Sequence, residues 1–159
     1  MKQVVPQASD QVISGPSDSN IRVEPGFKDV TMNKTSGKKT ILVIEDDSDI
    51  LSVIIKHLKY LGYEVMAASD GMEGLKVLES GGYDLVVTDI VMPYVSGVGV
   101  ITAIKEKTPH IPVIAITGYG KEPQMAATEK KADLVLAKPF KMSILRDQIA
   151  RLLLEKDEQ

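Results

Sequence analysis

The sequence predicts an α/β fold: an open, doubly wound parallel sheet of five strands with five helices covering both faces. Three observations lead there. From residue 40 onward, short apolar runs alternate five times with segments of helical periodicity. Several runs, such as Ile41-Leu42-Val43-Ile44 and Val113-Ile114-Ala115-Ile116, are unbroken rather than alternating. Unbroken runs mark strands buried on both faces, as in a parallel sheet sandwiched between helices. Finally, 159 residues with 43% hydrophobic content give room for one domain with a proper core.

The elements follow in order. Strands are predicted at 41–44, 64–67, 85–88, 113–116 and 134–136. The first helix, over 49–61, sets Ile50, Val53, Ile54, His57, Leu58 and Leu61 on one face, and Gly62 stops it. Ser69 or Asp70 caps the second helix, which carries Met72, Leu75, Val77 and Leu78. The third runs over 97–107 and ends before Pro109; the fourth, over 122–131, is the least apolar. The fifth, over 142–154, has a core stripe of Ile144, Leu145, Ile149 and Leu152, widened by Leu153 and Leu154. Right-handed crossovers put such helices on both faces, and the natural small arrangement is the flavodoxin-like strand order 2-1-3-4-5.

Residues 1–38 differ in texture, being rich in Pro, Gly, Ser, Asp and Asn and poor in apolar residues. They are expected to form a flexible or disordered extension. The net charge of −3 and the lack of a basic stripe argue against nucleic acid as a partner. With no cysteine, disulfides and thiolate metal sites are excluded, which suits a cytoplasmic protein. No apolar run approaches a membrane span and no secretory h-region stands at the N-terminus.

The carboxyl ends of the strands share one rim, where α/β sheets bind ligands. The first strand delivers Glu45-Asp46-Asp47, the third Asp89, the fourth Thr117-Gly118, and the fifth leads into Lys138-Pro139-Phe140. Adjacent like charges repel unless a cation or hydrogen bonds relieve them. Hard oxygen ligands without His or Cys suit Mg²⁺, which takes one or two carboxylates and leaves room for phosphate oxygens. Asp89 stands apart from the acidic run and is the candidate nucleophile, since aspartate can form an acyl phosphate. The Thr117 hydroxyl and the Lys138 ammonium are placed to bind phosphoryl oxygens. His57 and His110 lack the company of metal ligands and read as structural.

Together these residues resemble the receiver domain of two-component response regulators, over roughly residues 39–156. Ile41 to Asp47 is similar to the family's first strand and acidic pair. Asp89-Ile90-Val91-Met92-Pro93 with Gly97 is similar to its phosphoacceptor segment, Ile116-Thr117-Gly118 to its hydroxyl site, and Lys138-Pro139-Phe140 to its lysine motif. The resemblance implies a phosphorylation switch rather than an enzyme acting on a separate substrate. Asp89 would take phosphate from a sensor histidine kinase or histidine phosphotransfer protein. Asp46 and Asp89, with the Val91 carbonyl, would ligate Mg²⁺, and Glu45 would act through water. Asp47 would cap the first helix, and the Lys138–Pro139 bond would be cis. Because the chain ends at Gln159, soon after the fifth helix, the expectation is a stand-alone receiver, a monomer or weak dimer. Its output would be contact with a downstream protein or onward transfer of phosphate.

One departure carries information. Three residues before the lysine the family commonly has an aromatic that swings inward, and here Val135 stands there. Valine has no ring to move, so either Thr117 moves with its loop alone or Tyr119 takes a gating part. Apolar Val91 and bulky Tyr119 imply slow loss of the phosphoryl group, because water must align opposite Asp89. A competing reading, an aspartate-nucleophile phosphatase of the haloacid dehalogenase type, requires D-x-D-x-T/V on its first strand. Glu45-Asp46-Asp47-Ser48-Asp49 does not supply it. A nucleotide site fails too, since the first strand ends in carboxylates rather than a glycine-rich loop.

Overall fold

The computed structural model describes residues 37–118 and 121–159. The expected extension falls, save its last two residues, outside the described residues, as does Tyr119. Among the described residues ten elements alternate: β1 (Thr40–Ile44), α1 (Ser48–Tyr60), β2 (Glu64–Ala68), α2 (Gly71–Ser80), β3 (Leu85–Asp89), α3 (Gly97–Lys107), β4 (Val113–Thr117), α4 (Lys121–Glu129), β5 (Leu134–Ala137) and α5 (Met142–Asp157). All strand pairs are parallel, in the order β2-β1-β3-β4-β5. The expected order is therefore observed. Four strands run one residue further toward the rim than predicted, because the ladder continues through pairs such as Asp89 with Ile116 and Thr117 with Ala137.

The unbroken apolar runs are explained by two cores, one on each face of the sheet. Leu42 and Ile44 of β1 join Val86, Leu78, Ile101 and Ile104 on the side of α2 and α3. Ile41 and Val43 join Leu85, Ile54, Leu58, Leu145 and Ile149 on the side of α1 and α5. Successive side chains of a strand point to opposite faces, so a strand feeding both cores must be apolar throughout.

Local signals set the helix starts. The Asp47 carboxylate accepts from the amides of Asp49 (2.9 Å) and Ile50 (3.0 Å), capping α1 as expected. At α2 both candidate caps take part: Asp70 accepts from the Glu73 amide at 2.8 Å, while Glu73 accepts from the Ser69 amide at 2.6 Å. Such reciprocal bonds satisfy donors that a helix start leaves open. Gly62 adopts φ +92° just after α1, where a β-carbon would be strained.

The predicted helix faces need four corrections. Val53 (52% exposed), Met72 (49%), Ile144 (44%) and Leu154 (65%) lie toward solvent rather than in the core. Each helical residue turns about 100° from the last, so only one set of positions spaced by three or four can face the sheet. In α1 that set is Ile54 and Leu58; in α5 it is Leu145, Ile149 and Leu152, with Leu153 beside them. His57, expected on the apolar face, is partly buried, and its Nε2 finds no hydrogen-bond partner among the described residues.

At the amino ends of the strands, away from the rim, Asp84 ties three segments together. Its Oδ2 accepts from the Thr40 amide at 2.9 Å, and Lys156 of α5 donates to its carbonyl at 3.2 Å. Lys39 meanwhile bonds Asp157 at 2.7 Å. These bonds hold the start of β1 and the end of α5 on the same base.

Leu58 is completely buried. Replacing it with alanine removes buried methyl groups and leaves a cavity, so Leu58→Ala is expected to lower unfolding free energy by about 2–5 kcal/mol, read by urea denaturation.

Candidate functional site

Glu45 follows β1 and keeps the sheet's path, its amide donating to the Ala68 carbonyl at 3.1 Å. Its side chain is 1% exposed, whereas Asp46 is turned to solvent. The acidic run thus splits into three environments: Glu45 buried, Asp46 at the rim, and Asp47 bent away onto the helix start. Asp89 ends β3 and is 5% exposed. Its Oδ1 accepts from the Val91 amide at 2.9 Å and its Oδ2 from the Lys138 ammonium at 2.6 Å. Lys138 also donates to Glu45 Oε2 at 3.1 Å. One ammonium therefore bridges carboxylates from two neighbouring strands.

Lys138 reaches this position because its own amide donates to the Thr117 carbonyl at 2.7 Å, carrying the β4–β5 ladder to the rim. The Lys138–Pro139 peptide is cis, as the resemblance implied. Thr117 ends β4, 3% exposed, and its hydroxyl has no hydrogen-bond partner among the described residues. A buried hydroxyl left unpaired typically costs about 1–3 kcal/mol, so this one has a bond to offer at the rim.

Carboxylate oxygens of Glu45, Asp46 and Asp89 lie within 4.8 Å of one another. Three hard oxygen donors so close, one of them solvent-facing, fit a small divalent cation. Burial pushes the Glu45 carboxyl up to about 6, despite the bond from the Asp47 amide, and the charge of Asp89 adds to the rise. Lys138 is held above its ordinary value: burial works against its charge, but the bonds to Asp89 and Glu45 outweigh that.

The loop from β3 to α3 completes the rim. Val91 is 53% exposed there, and Tyr94, at φ +64°, is 95% exposed. Gly97 lets α3 begin directly beneath Asp89: a β-carbon at 97 would strike the Asp89 carbonyl and stand 2.7 Å from Ile90 Cα. Val135 is partly buried, packed against the core on the side of α2 and α3 and paired with Ala115. Sequence reasoning passed over the depth of Glu45 and the close approach of Gly71 to the Val95 carbonyl. A charge next to an apolar strand end was the only available hint of the first; the second has no signature in one sequence.

The fold agrees with what comparison finds. The response regulator receiver domain family matches residues 41–150, and the chain belongs to that family. Among curated relatives, transcriptional regulatory protein PrrA of Mycobacterium tuberculosis is 35% identical over 71% of this chain and 49% of its own length. PhoP of Bacillus subtilis, an alkaline phosphatase synthesis regulator, is 33% identical over 64% of this chain and 43% of its own. The chain thus spans about half the length of these relatives, and their role in transcription is a property of the whole proteins. Among solved structures, a CheY-like receiver domain protein from Methanospirillum hungatei superposes with TM-score 0.74 at 29% identity, covering 77% of this chain and 98% of that one. TrrA from Thermotoga maritima, solved in complex with Mg²⁺-BeF, gives TM-score 0.65 at 34% identity over 72% of this chain and 98% of its own. Nothing found points to a haloacid dehalogenase phosphatase. No helix among the described residues is long and apolar enough to cross a membrane.

The displaced titration of Glu45 has a consequence for metal-free protein. Its folded value of about 6 lies above the ordinary 4.5, so the folded state binds this proton more tightly than the unfolded chain does. The stability tied to it is fully present below about 4.5 and is lost as pH rises through about 6. With chelator present, Glu45→Gln is therefore expected to flatten the fall in melting temperature between pH 5 and pH 7. An unchanged slope would contradict this assignment.

Proposed function

We propose that Asp89 accepts a phosphoryl group from a phosphohistidine on a sensor histidine kinase or histidine phosphotransfer protein, in a Mg²⁺-dependent reaction, and that the modified rim then signals to a downstream protein. One observation carries this reading: a strand-end carboxylate fixed by an amide on one oxygen and an ammonium on the other, beside two further carboxylates and an unpaired buried hydroxyl.

In the transfer an Asp89 oxygen forms a bond to phosphorus while the phosphorus–nitrogen bond to the donor histidine breaks, and the leaving imidazole takes up a proton. Asp46 and Asp89, with the Val91 carbonyl, would hold Mg²⁺, and Glu45 would act through water. When bound, the cation neutralises charge on the phosphoryl oxygens. The remaining work belongs to side chains of this chain. Lys138, already bonded to Asp89, holds the nucleophile aimed, then is free to pair with an incoming oxygen. Thr117 offers its hydroxyl to another. Phosphoryl transfer depends on positioning and charge more than on covalent assistance from the protein, and these groups supply both.

A docking face for the donor adjoins the rim. A groove of about 590 Å³ runs beside Lys138, lined by Ile50, Val53, Pro139, Phe140 and Met142. Val53, which helical periodicity alone assigned to the core, is exposed there. An apolar strip bordering the phosphoacceptor suits the flank of a helix that carries a histidine.

Two experiments test the reading. Incubation with acetyl phosphate and Mg²⁺ is expected to add one phosphoryl mass to the wild type and none to Asp89→Asn, with the label outlasting seconds. An unlabelled wild type overturns the proposal. Val53→Asp is expected to slow transfer from a phosphorylated histidine kinase at least tenfold while labelling by acetyl phosphate stays within twofold. Equal loss with both donors would remove the groove from the reading.

A further inference from the structure

The first turn of α2 bears on the loop that delivers the Val91 amide to Asp89. Gly71 is the first helical residue after the Asp70 cap, and it is buried. A β-carbon at 71 would strike the Val95 carbonyl oxygen and stand 2.8 Å from Val95 Cβ. Val95 belongs to the β3–α3 loop. That segment is pinned on its other side, where the Gly97 amide donates to the Ile90 carbonyl at 2.9 Å and the Ile90 amide to Ile116 at 2.8 Å. Within the loop, the Val95 amide donates to Pro93 at 2.8 Å, making a tight turn. The loop's free end is thus clamped between α2 and the root of α3, and Val91 is the residue it presents to Asp89.

We propose that Gly71 is a positioning residue: lacking a β-carbon, it lets α2 bear directly on the Val95 peptide, and this contact sets how the β3–α3 loop delivers the Val91 amide to Asp89. Gly74, one turn along the same helix, provides the comparison. A β-carbon there meets the end of a side chain, Ile44 Cδ1 at 2.7 Å, rather than backbone. Both glycines pack tightly, but only Gly71 presses on the loop. A side chain at 74 would meet an isoleucine tip within the core, whereas one at 71 would meet the backbone of the loop that carries Val91. The role of this displacement in phosphoryl acceptance rests on the function proposed above; the displacement itself does not.

Amide exchange followed by NMR in metal-free protein tests the inference. Gly71→Ala is expected to speed Val91 exchange at least tenfold and to weaken Mg²⁺ binding at least tenfold. Gly74→Ala should lower the melting temperature while leaving Val91 exchange, relative to the global core amides, within twofold of wild type. Asp70→Ala gives a milder perturbation should Gly71→Ala fold poorly: loss of the bond that the Glu73 amide donates to Asp70 frays the first turn. Exchange at Glu73 and Val91 is then expected to rise together. Val91 exchange unchanged in Gly71→Ala, or unchanged in Asp70→Ala while Glu73 exchanges freely, overturns the proposal. Because the amide readout needs neither Mg²⁺ nor phosphate, a wild type that takes no phosphate sinks the functional reading alone.

Discussion

Two carboxylates almost sealed from water, Glu45 and Asp89, stand at one rim with a positive charge between them. The Lys138 ammonium is that charge, 3.1 Å from one and 2.6 Å from the other. Its hold is conditional. A divalent cation held through Asp46 would supply the same compensation from the solvent side and would loosen the demand on the lysine. On the function proposed above, the rim would exchange one source of positive charge for another without rebuilding the sheet.

The sheet makes this exchange local. Parallel strands in the observed order put β1 and β3 side by side, so Glu45 and Asp89 emerge from adjacent strands at the same height. β4 and β5 are likewise adjacent, and the bond from the Lys138 amide to the Thr117 carbonyl extends their ladder to the rim. Nearly all positional precision thus comes from backbone hydrogen bonds between buried strands. The part left to loops is small: the Val91 amide, and with it the way α2 and α3 grip the segment that carries it.

Much of this was legible in the sequence because it depends on strict periodicities. Strands buried on both faces must be apolar throughout, and a rim residue must directly follow such a run; Glu45, Asp89 and Thr117 could be placed on that basis alone. Caps were equally legible, since Asp47 and Asp70 serve neighbours two and three residues away. Failures came where two positions on a helix compete for one face. Val53 and Ile144 are as apolar as Ile54 and Leu145, and only the angle at which each helix meets the sheet decides between them. Contacts through an absent atom were also illegible. Gly71 and Gly74 look alike in a string of letters, although one faces a peptide and the other an isoleucine. Position 135 is intermediate: that valine replaces an aromatic could be read, but its half-buried place beside Ala115 could not.

The unpaired Thr117 hydroxyl has an evolutionary consequence. Valine has nearly the same shape and would remove a buried polar atom that no described residue satisfies, so a chain selected only for thermal resilience would drift toward valine at this position. Threonine would be retained only where the proposed contact with a phosphoryl oxygen is also under selection. The same fold under the two pressures would diverge here first, and a library screened for heat resistance without regard to phosphorylation would record that divergence at residue 117.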